Sequence, residues 1–212
     1  MVKKYKLILF DFDGVIGDSF DFVVECIYNN MRKFTRVKLS QEDIAQELRT
    51  ISLFEIIKKY KIPKILIPII VFKLKRDLSK RLEFSKVFPN SQKVLESLQN
   101  KKLKIGLVTS NSKKNINYYL NIFNLLDKFD FVYTSTSLFK KDKTINKILK
   151  KYSLKSDEVL YVGDEVRDIL ACQKIGIDIV AVTYGYNSKE LLKNFEPTYL
   201  VDSLDDINYI IK

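Results

Sequence analysis

The chain has no histidine among its 212 residues. That absence excludes Ser-His-Asp and Cys-His catalysis and every zinc site built on imidazole ligands. Cysteine is scarce too, and the two that exist, Cys26 and Cys172, have no metal-type spacing. A reduced, cytoplasmic protein is the simpler interpretation. Any chemistry must therefore use carboxylates, hydroxyls, amines and the backbone.

A long uninterrupted apolar run is also missing. The longest candidate, residues 62–74, contains two prolines and two lysines, so we expect no membrane-spanning helix. We interpret this segment as the interior of a helical region or as a homodimer surface. Membrane attachment is the weaker alternative, because Pro63 and Pro68 would disrupt an amphipathic helix.

Arginine is scarce, with 6 of the 37 basic residues, although the formal net charge is +11. Specific recognition of nucleic acid depends on arginine forks, so the lysine excess disfavours nucleic acid as a partner. Residues 58–86 contain ten basic residues against Asp77 and Glu83. This segment is interpreted as a solvated face, and the sharper hypothesis is that it attracts anionic substrates.

Apolar runs alternate with helical patterns over most of the chain. Buried strands are predicted at residues 6–10, 104–109, 129–134, 159–164 and 177–183. Helices are predicted at residues 91–100, 112–124, 143–154 and 166–176. Alternating strands and helices predict an α/β fold with a doubly wound parallel sheet and right-handed crossovers.

The first part of the chain breaks that alternation. Three segments, at residues 20–34, 41–60 and 67–84, have helical periodicity, and there is no convincing strand between residues 17 and 86. We therefore predict an α/β core formed by residues 1–16 and 87–212. An α-helical cap at residues 17–86 would be inserted after the first strand.

Polar side chains follow three of the predicted strands, at the points where the strands end. They are Asp11 and Asp13, then Thr109, Ser110 and Asn111, and finally Asp164 and Asp168. Ligands bind beyond the carboxyl ends of the strands in doubly wound sheets. We therefore expect these side chains to converge on one crevice.

The spacing of the acids suits phosphate chemistry. Asp11 and Asp13 are two residues apart, so an extended backbone points both to the same side. Neighbouring carboxylates push their pKa values apart, which suits one as an ionised nucleophile and the other as a proton donor. Asp164 and Asp168 are four residues apart at a strand-to-helix junction and join Asp11 in a cluster that suits Mg²⁺.

Two further features of the crevice suit an anion. Thr109 and Ser110 precede a helix start, where hydroxyl and backbone N–H groups hold anions well. Lys140, Lys141 and Lys143 lie in the loop after the predicted strand 129–134, and one of them could neutralise phosphoryl oxygens. These features suit a small anionic ligand, and the family resemblance described next implies that it is a phosphorylated metabolite.

These segments resemble the motifs of the haloacid dehalogenase superfamily, specifically its helical-cap phosphatases of the phosphoglycolate phosphatase type. DFDGVIGDS is similar to the first motif, VTSN to the second, FKKDK to the third and GDEVRD to the fourth. The order, the spacing and the position of the insertion agree with that family. The acid at position 13 favours phosphoryl transfer, because displacement of a halide needs no proton donor.

The resemblance implies a Mg²⁺-dependent phosphatase acting on a small phosphomonoester through an aspartyl-phosphate. It makes Asp11 the nucleophile and Asp13 the general acid. It assigns phosphate binding to four residues, which are Thr109, Ser110, Asn111 and a lysine of FKKDK. It assigns Mg²⁺ binding to Asp11, Asp164 and the Asp13 carbonyl, with Asp168 acting mainly through water.

Some assignments stay open at this point. No proline follows the third-motif lysine, and FKKDK is similar to a Gly-Lys form of the motif with Lys140 in the glycine place, which favours Lys141 over Lys143 and Lys140. Asp18 and Ser19 are interpreted as the start of the first cap helix, and residues 184–186 as a turn. The alternative functions are a sugar-phosphate mutase of the same superfamily and a non-catalytic binding protein on this fold.

Overall fold

The computed structural model describes residues 5–34, 39–78, 86–134 and 140–211. Its strands are β1 (Leu7–Phe10), β2 (Gly17–Asp18), β3 (Lys86–Val87), β4 (Lys104–Thr109), β5 (Phe131–Thr134), β6 (Val159–Gly163), β7 (Asp178–Val182) and β8 (Tyr199–Val201). Six of them form one parallel sheet in the order β5-β4-β1-β6-β7-β8. The predicted fold class is confirmed.

Helices lie on both faces of this sheet and in the segment between β2 and β3. They are α1 (Phe20–Phe34), α2 (Gln41–Thr50), α3 (Leu53–Lys59), α4 (Ile67–Leu78), α5 (Ser91–Asn100), α6 (Lys113–Ile122), α7 (Lys141–Tyr152), α8 (Val166–Ile175), α9 (Lys189–Lys193) and α10 (Ile207–Ile210). Helices α5, α6 and α10 contribute to the core on one face, and α7, α8 and α9 to the core on the other.

Strand β1 lies in the middle of the sheet and is fully buried. Successive side chains of a strand point to opposite faces, so Ile8 and Phe10 enter one core and Leu7 and Leu9 the other. Phe10 pairs with Leu107 of β4 and with Val162 of β6. This register aligns the carboxyl ends of the three central strands, so the polar residues that follow them meet at one edge.

The described residues between β2 and β3 form a helical layer with a small core of its own. Phe20, Val24 and Ile44 are buried there together with Tyr186, which comes from the sheet domain. The chain enters and leaves this layer through β2 and β3, which pair antiparallel. The prediction of no strand between residues 17 and 86 is therefore wrong at its two ends. The division of the chain at residues 17 and 86 stays a prediction.

The helix predicted over residues 41–60 is divided into α2 and α3. Ser52 ends the continuity, because its side chain accepts a hydrogen bond from the Glu55 N–H while the Glu55 carboxylate accepts one from the Ser52 N–H. This reciprocal capping box starts a new helix. The same arrangement joins Ser40 to Asp43 at the start of α2.

Helix α4 of this layer contains a proline at a position where it does not break the helix. Pro68 is the second residue of α4, where a missing N–H removes no intrahelical hydrogen bond. Residues 79–84 of the helix predicted over 67–84 lie outside the described residues, as do Glu83 of the basic segment and Phe139 of FKKDK. Within the described ranges, no helix is both long and apolar enough to cross a membrane.

In the second half of the chain, several boundaries differ by one or two residues from the sequence-based expectations, and β8, α9 and α10 were not predicted. Helix α7 begins at Lys141 rather than at residue 143, and β5 begins at residue 131 rather than 129. Strand β8 was not predicted, because it has only three residues and each is only partly buried. It exists through its parallel pairing with β7.

We expect Leu9→Ala to lower the free energy of unfolding by about 2–5 kcal/mol, because it opens a cavity in the fully buried central strand. The matched control is Leu126→Ala, since Leu126 is 48% exposed and its truncation is expected to change that free energy by about 0.5 kcal/mol. Urea unfolding measures both values. Equal losses in the two variants would contradict the packing described for β1.

Candidate active site

Three buried carboxylates meet where the central strands end. Asp11 follows β1, Asp164 follows β6, and Asp168 lies in the first turn of α8, and each of these residues is at most 2% exposed. One carboxylate oxygen of each lies within 4.8 Å of the other two. The acids that sequence spacing grouped together therefore do come together in space.

Among the residues that the structure describes, one lysine lies between these carboxylates. The Nζ of Lys141, the first residue of α7, donates hydrogen bonds to Asp11 Oδ2 and to Asp168 Oδ1. Lys141 is 3% exposed, whereas Lys140 and Lys143 are exposed. The lysine was expected in a loop, but it lies on the first turn of a helix.

The turn after β1 allows a very close approach to Asp164. Gly14 has a φ of +80°, and its N–H donates to the Gly17 carbonyl at 2.9 Å. A Cβ on Gly14 would lie 1.9 Å from Asp164 Oδ2. Glycine is therefore required at this position for two reasons, since both its backbone conformation and its lack of a side chain are needed.

Burial dominates the electrostatics of the cluster. It raises the pKa of Asp11 to about 7, with Lys141 opposing that rise and Asp168 adding to it. It raises the pKa of Asp164 well above the usual range, and the neighbouring carboxylates of Glu165, Asp168 and Asp11 add to the effect. Burial alone would lower the pKa of the Lys141 ammonium, but Asp11 and then Asp168 outweigh it and hold that pKa above its ordinary value.

The cluster has the donors and the charge that a hard divalent cation needs. Three carboxylates against the one ammonium of Lys141 leave two formal negative charges when all are ionised. Asp164 Oδ2 accepts from the Tyr186 N–H at 2.7 Å, but Asp164 Oδ1 is buried and has no hydrogen-bond partner among the described residues. Oxygen donors without histidine or cysteine suit Mg²⁺, so the residues present fit that ion.

Asp13 lies beside this cluster in a different environment. Its carboxylate accepts hydrogen bonds from Ser19 Oγ at 2.9 Å and from Asn111 Nδ2 at 3.3 Å. Burial raises its pKa, although these two hydrogen bonds oppose the rise. Asp13 is therefore disposed to keep a proton more readily than an exposed aspartate does.

The turn after β4 lies next to Asp13. Thr109 is fully buried, and its Oγ1 accepts from the Asn111 N–H at 3.0 Å. Ser110 is partly buried, and Asn111 is held by a hydrogen bond from Asn115 Nδ2 at 3.1 Å. Ser112 caps α6 directly afterwards. Helix α6 therefore begins beside the acids, and the backbone N–H groups at a helix N-terminus are suited to bind an anion.

Sequence reasoning missed several contacts in this region. Ser19 was interpreted only as the start of a cap helix, but its hydroxyl contacts both Asp13 and the Tyr186 hydroxyl, each at 2.9 Å. Tyr186 was interpreted as part of a turn, and its N–H also holds Asp164. The loop that contains Tyr186 follows β7 and has no motif of its own, so only its position at the same sheet edge could have indicated these roles.

A family model described as haloacid dehalogenase-like hydrolase matches residues 8–182. The chain belongs to this family. It is therefore an enzyme of a hydrolase family, and the resemblance drawn from the four motifs is confirmed. The acid cluster, Lys141 and the turn after β4 all lie within the matched residues.

Relatives in this family match nearly the whole chain. A protein of Synechococcus elongatus named phosphoglycolate phosphatase is 29% identical over 202 residues, which are 95% of each chain. A protein of Oceanobacillus iheyensis named pyrophosphatase PpaX is 23% identical over 211 residues, with 97% of this chain and 96% of that one covered. Both names contain the word phosphatase, and they name different substrates.

The fold is shared with solved structures. The crystal structure of a predicted phosphatase from Clostridium acetobutylicum has a TM-score of 0.84 to this chain, with 98% of each chain covered and 22% identity. At this identity the likeness concerns the fold alone. It includes the helical layer between β2 and β3, because the covered share extends over almost the whole chain.

We expect Gly14→Ala to weaken Mg²⁺ binding at least about 10-fold, because its new Cβ displaces an Asp164 oxygen. The matched control is Gly176→Ala. Gly176 has a similar φ of +77°, but among the described residues nothing outside its immediate chain neighbourhood lies within 4 Å of the added Cβ. Both variants should lose about 1–2 kcal/mol of folding stability from the left-handed backbone.

Calorimetric titration with Mg²⁺ and urea unfolding separate the two effects in these glycine variants. The same Mg²⁺ affinity in Gly14→Ala and Gly176→Ala would contradict a metal site built on Asp164.

Proposed function

We propose that this hydrolase is a Mg²⁺-dependent phosphatase that transfers the phosphoryl group of a small phosphomonoester first to Asp11 and then to water. The observation that carries the proposal is the buried Asp11 carboxylate, which contacts Lys141 inside a cluster fitted for a cation. Asp13 lies two residues further along the same turn and has a raised pKa. This pair provides a nucleophile and an acid.

In the first step, an Asp11 carboxylate oxygen forms a bond to phosphorus while the bond between phosphorus and the leaving oxygen breaks. Asp13 gives its proton to that leaving oxygen, so an alcohol departs. In the second step, water attacks phosphorus, Asp13 takes a proton from the water, and the Asp11 carboxylate is released together with inorganic phosphate. Both residues return to their initial protonation states.

The remaining residues hold the phosphoryl group and the nucleophile. Lys141 fixes the Asp11 carboxylate and supplies a positive charge beside the phosphoryl oxygens. Thr109 Oγ1 accepts a hydrogen bond from the Asn111 N–H, and its hydroxyl has one proton to donate besides, which we assign to a phosphoryl oxygen. Ser110 and Asn111 complete the phosphate site. Asp11, Asp164 and the Asp13 carbonyl, with Asp168 through water, would hold Mg²⁺, which would supply positive charge against the phosphoryl oxygens.

The names of the relatives support a phosphoryl substrate and leave two leaving groups to compare. We favour a small phosphomonoester of the phosphoglycolate type, because the relative with that name is 29% identical over 95% of both chains. Inorganic pyrophosphate is the second candidate, because a pyrophosphatase also matches almost the whole chain. A cytoplasmic location and a homodimer stay predictions.

We expect Asp11→Asn to lower phosphate release by more than about 10³-fold, because the amide cannot act as the nucleophile. The parent protein is first assayed with Mg²⁺ against a panel of phosphorylated metabolites that includes pyrophosphate. The matched control is Asp18→Asn, since Asp18 is exposed on β2 and should leave turnover unchanged.

Normal turnover in Asp11→Asn would rule out the mechanism. A sugar-phosphate mutase would isomerise a sugar phosphate with little release of free phosphate, and a binding protein would release none from any member of the panel.

We expect Asp13→Asn to slow the transfer of a phosphoryl group from an alkyl phosphate about 10²–10⁴-fold, because the poor leaving group loses its proton donor. Transfer from p-nitrophenyl phosphate should slow much less, because its leaving group needs no proton. Single-turnover rates of the first step measure both effects. An equal loss with both substrates would remove Asp13 from the role of general acid.

A further inference from the structure

We propose that Asn187 is a positioning residue that links the helical layer to the acid cluster, an inference that rests on the function proposed above. Asn187 lies in the loop between β7 and α9 and is 4% exposed. It carries no charge and does not belong to any of the four motifs. Its contacts nevertheless reach the segments that carry two of the acids and the end of a helix in the other layer.

On the sheet side, Asn187 holds the backbone that presents the acids. Its Oδ1 accepts a hydrogen bond from the Val166 N–H at 2.8 Å, and its own N–H donates to the Asp164 carbonyl at 3.3 Å. Val166 is the first residue of α8, and Asp168 lies in the first turn of that helix. One residue thus fixes the turn from Asp164 into the helix of Asp168.

On the other side, Asn187 holds the end of α2. Its Nδ2 donates to the Leu48 carbonyl at 2.7 Å, and the next N–H, of Ser188, donates to the Arg49 carbonyl at 2.8 Å. The last carbonyls of a helix have no partner within the helix, so the loop satisfies them. Arg49 donates back to the Gly185 carbonyl at 3.2 Å. The position of α2 is therefore connected to the acid turn through Asn187.

The two side-chain contacts need an acceptor and a donor on one planar group. Both partners are backbone groups of fixed polarity, so they decide which side of the amide faces the acid turn and which faces α2. Aspartate would keep the acceptor and lose the donor, and alanine would lose both. This difference allows the two halves of the link to be tested separately.

The experiment compares the parent protein with Asn187→Ala and Asn187→Asp. Mg²⁺ binding is measured by calorimetric titration without substrate. The stability of α2 in its packed position is measured by amide hydrogen exchange of residues 41–50. Asn194→Ala is the matched control, because Asn194 is the same residue type but is exposed, at the end of α9. Thermal unfolding verifies that each variant is folded at the temperature of the titration.

We expect Asn187→Ala to bind Mg²⁺ at least about 10-fold more weakly and to exchange faster in α2, because an outer partner of the acid turn is lost. Asn187→Asp should exchange faster in α2 as well. It should bind Mg²⁺ at least as tightly as the parent, because it keeps the acceptor for Val166 and adds an attractive charge. Asn194→Ala should match the parent in both measurements.

The inference fails if Asn187→Ala is folded and binds Mg²⁺ as the parent does, or if Asn187→Asp loses as much affinity as Asn187→Ala. A variant that loses only thermal stability would show a plain loop anchor and would also overturn it. Failure of the proposed function is a separate result, in which the parent releases no phosphate from any substrate. Titration and exchange do not depend on turnover, so they decide the role of Asn187 in either case.

Discussion

The burial of three carboxylates around one ammonium group is the constraint on which this structure depends. Taking a charge out of water is strongly unfavourable unless an opposite charge and hydrogen bonds compensate it. Lys141 compensates Asp11 and Asp168, while Asp164 is held by a backbone N–H through only one of its oxygens. The cluster is therefore destabilising by itself, and the surrounding fold has to keep it together.

The sheet provides that support because its centre is apolar on both faces. Strand β1 is fully buried between β4 and β6, and both neighbours pair with it in parallel up to its last residue, Phe10. A rigid apolar strand can hold a carboxylate where a mobile loop would let it move into water. The same constraint explains the close packing of Gly14 against Asp164, since any side chain there would separate the turn after β1 from the end of β6.

The loop after β7 is the meeting point of the sheet domain and the helical layer. Tyr186 packs edge-on against Phe20 of α1 with ring centroids 5.5 Å apart, and its N–H holds Asp164. Arg49 of α2 lies over the same Phe20 ring at 4.0 Å. Aromatic packing and helix-end hydrogen bonds therefore act on one short segment that also contacts an acid. A shift of α1 or α2 relative to the sheet would therefore change the position of the acids through this segment.

By itself, the sequence determined most of the strands and helices of the sheet domain and the residues that stand at the strand ends. Those features are local, since an apolar run in the sequence indicates a buried strand, and the polar residue that follows the run marks the end of the strand. The family could be read for the same reason, because its motifs are short and lie at these ends. The break at Ser52 was not predicted, although a serine followed three residues later by Glu55 is a local signal for the start of a helix.

Only the tertiary structure decided which lysine of FKKDK meets the acids. The three lysines are alike in local sequence, and each residue of a helix is turned by about 100° from the one before. The start of α7 at Lys141 points that side chain inward and leaves Lys143 exposed. Strand β8 and the contacts of Ser19, Tyr186 and Asn187 likewise depend on segments distant in sequence. Pairing and packing between distant segments leave no periodic trace in the chain, so these features required the folded structure.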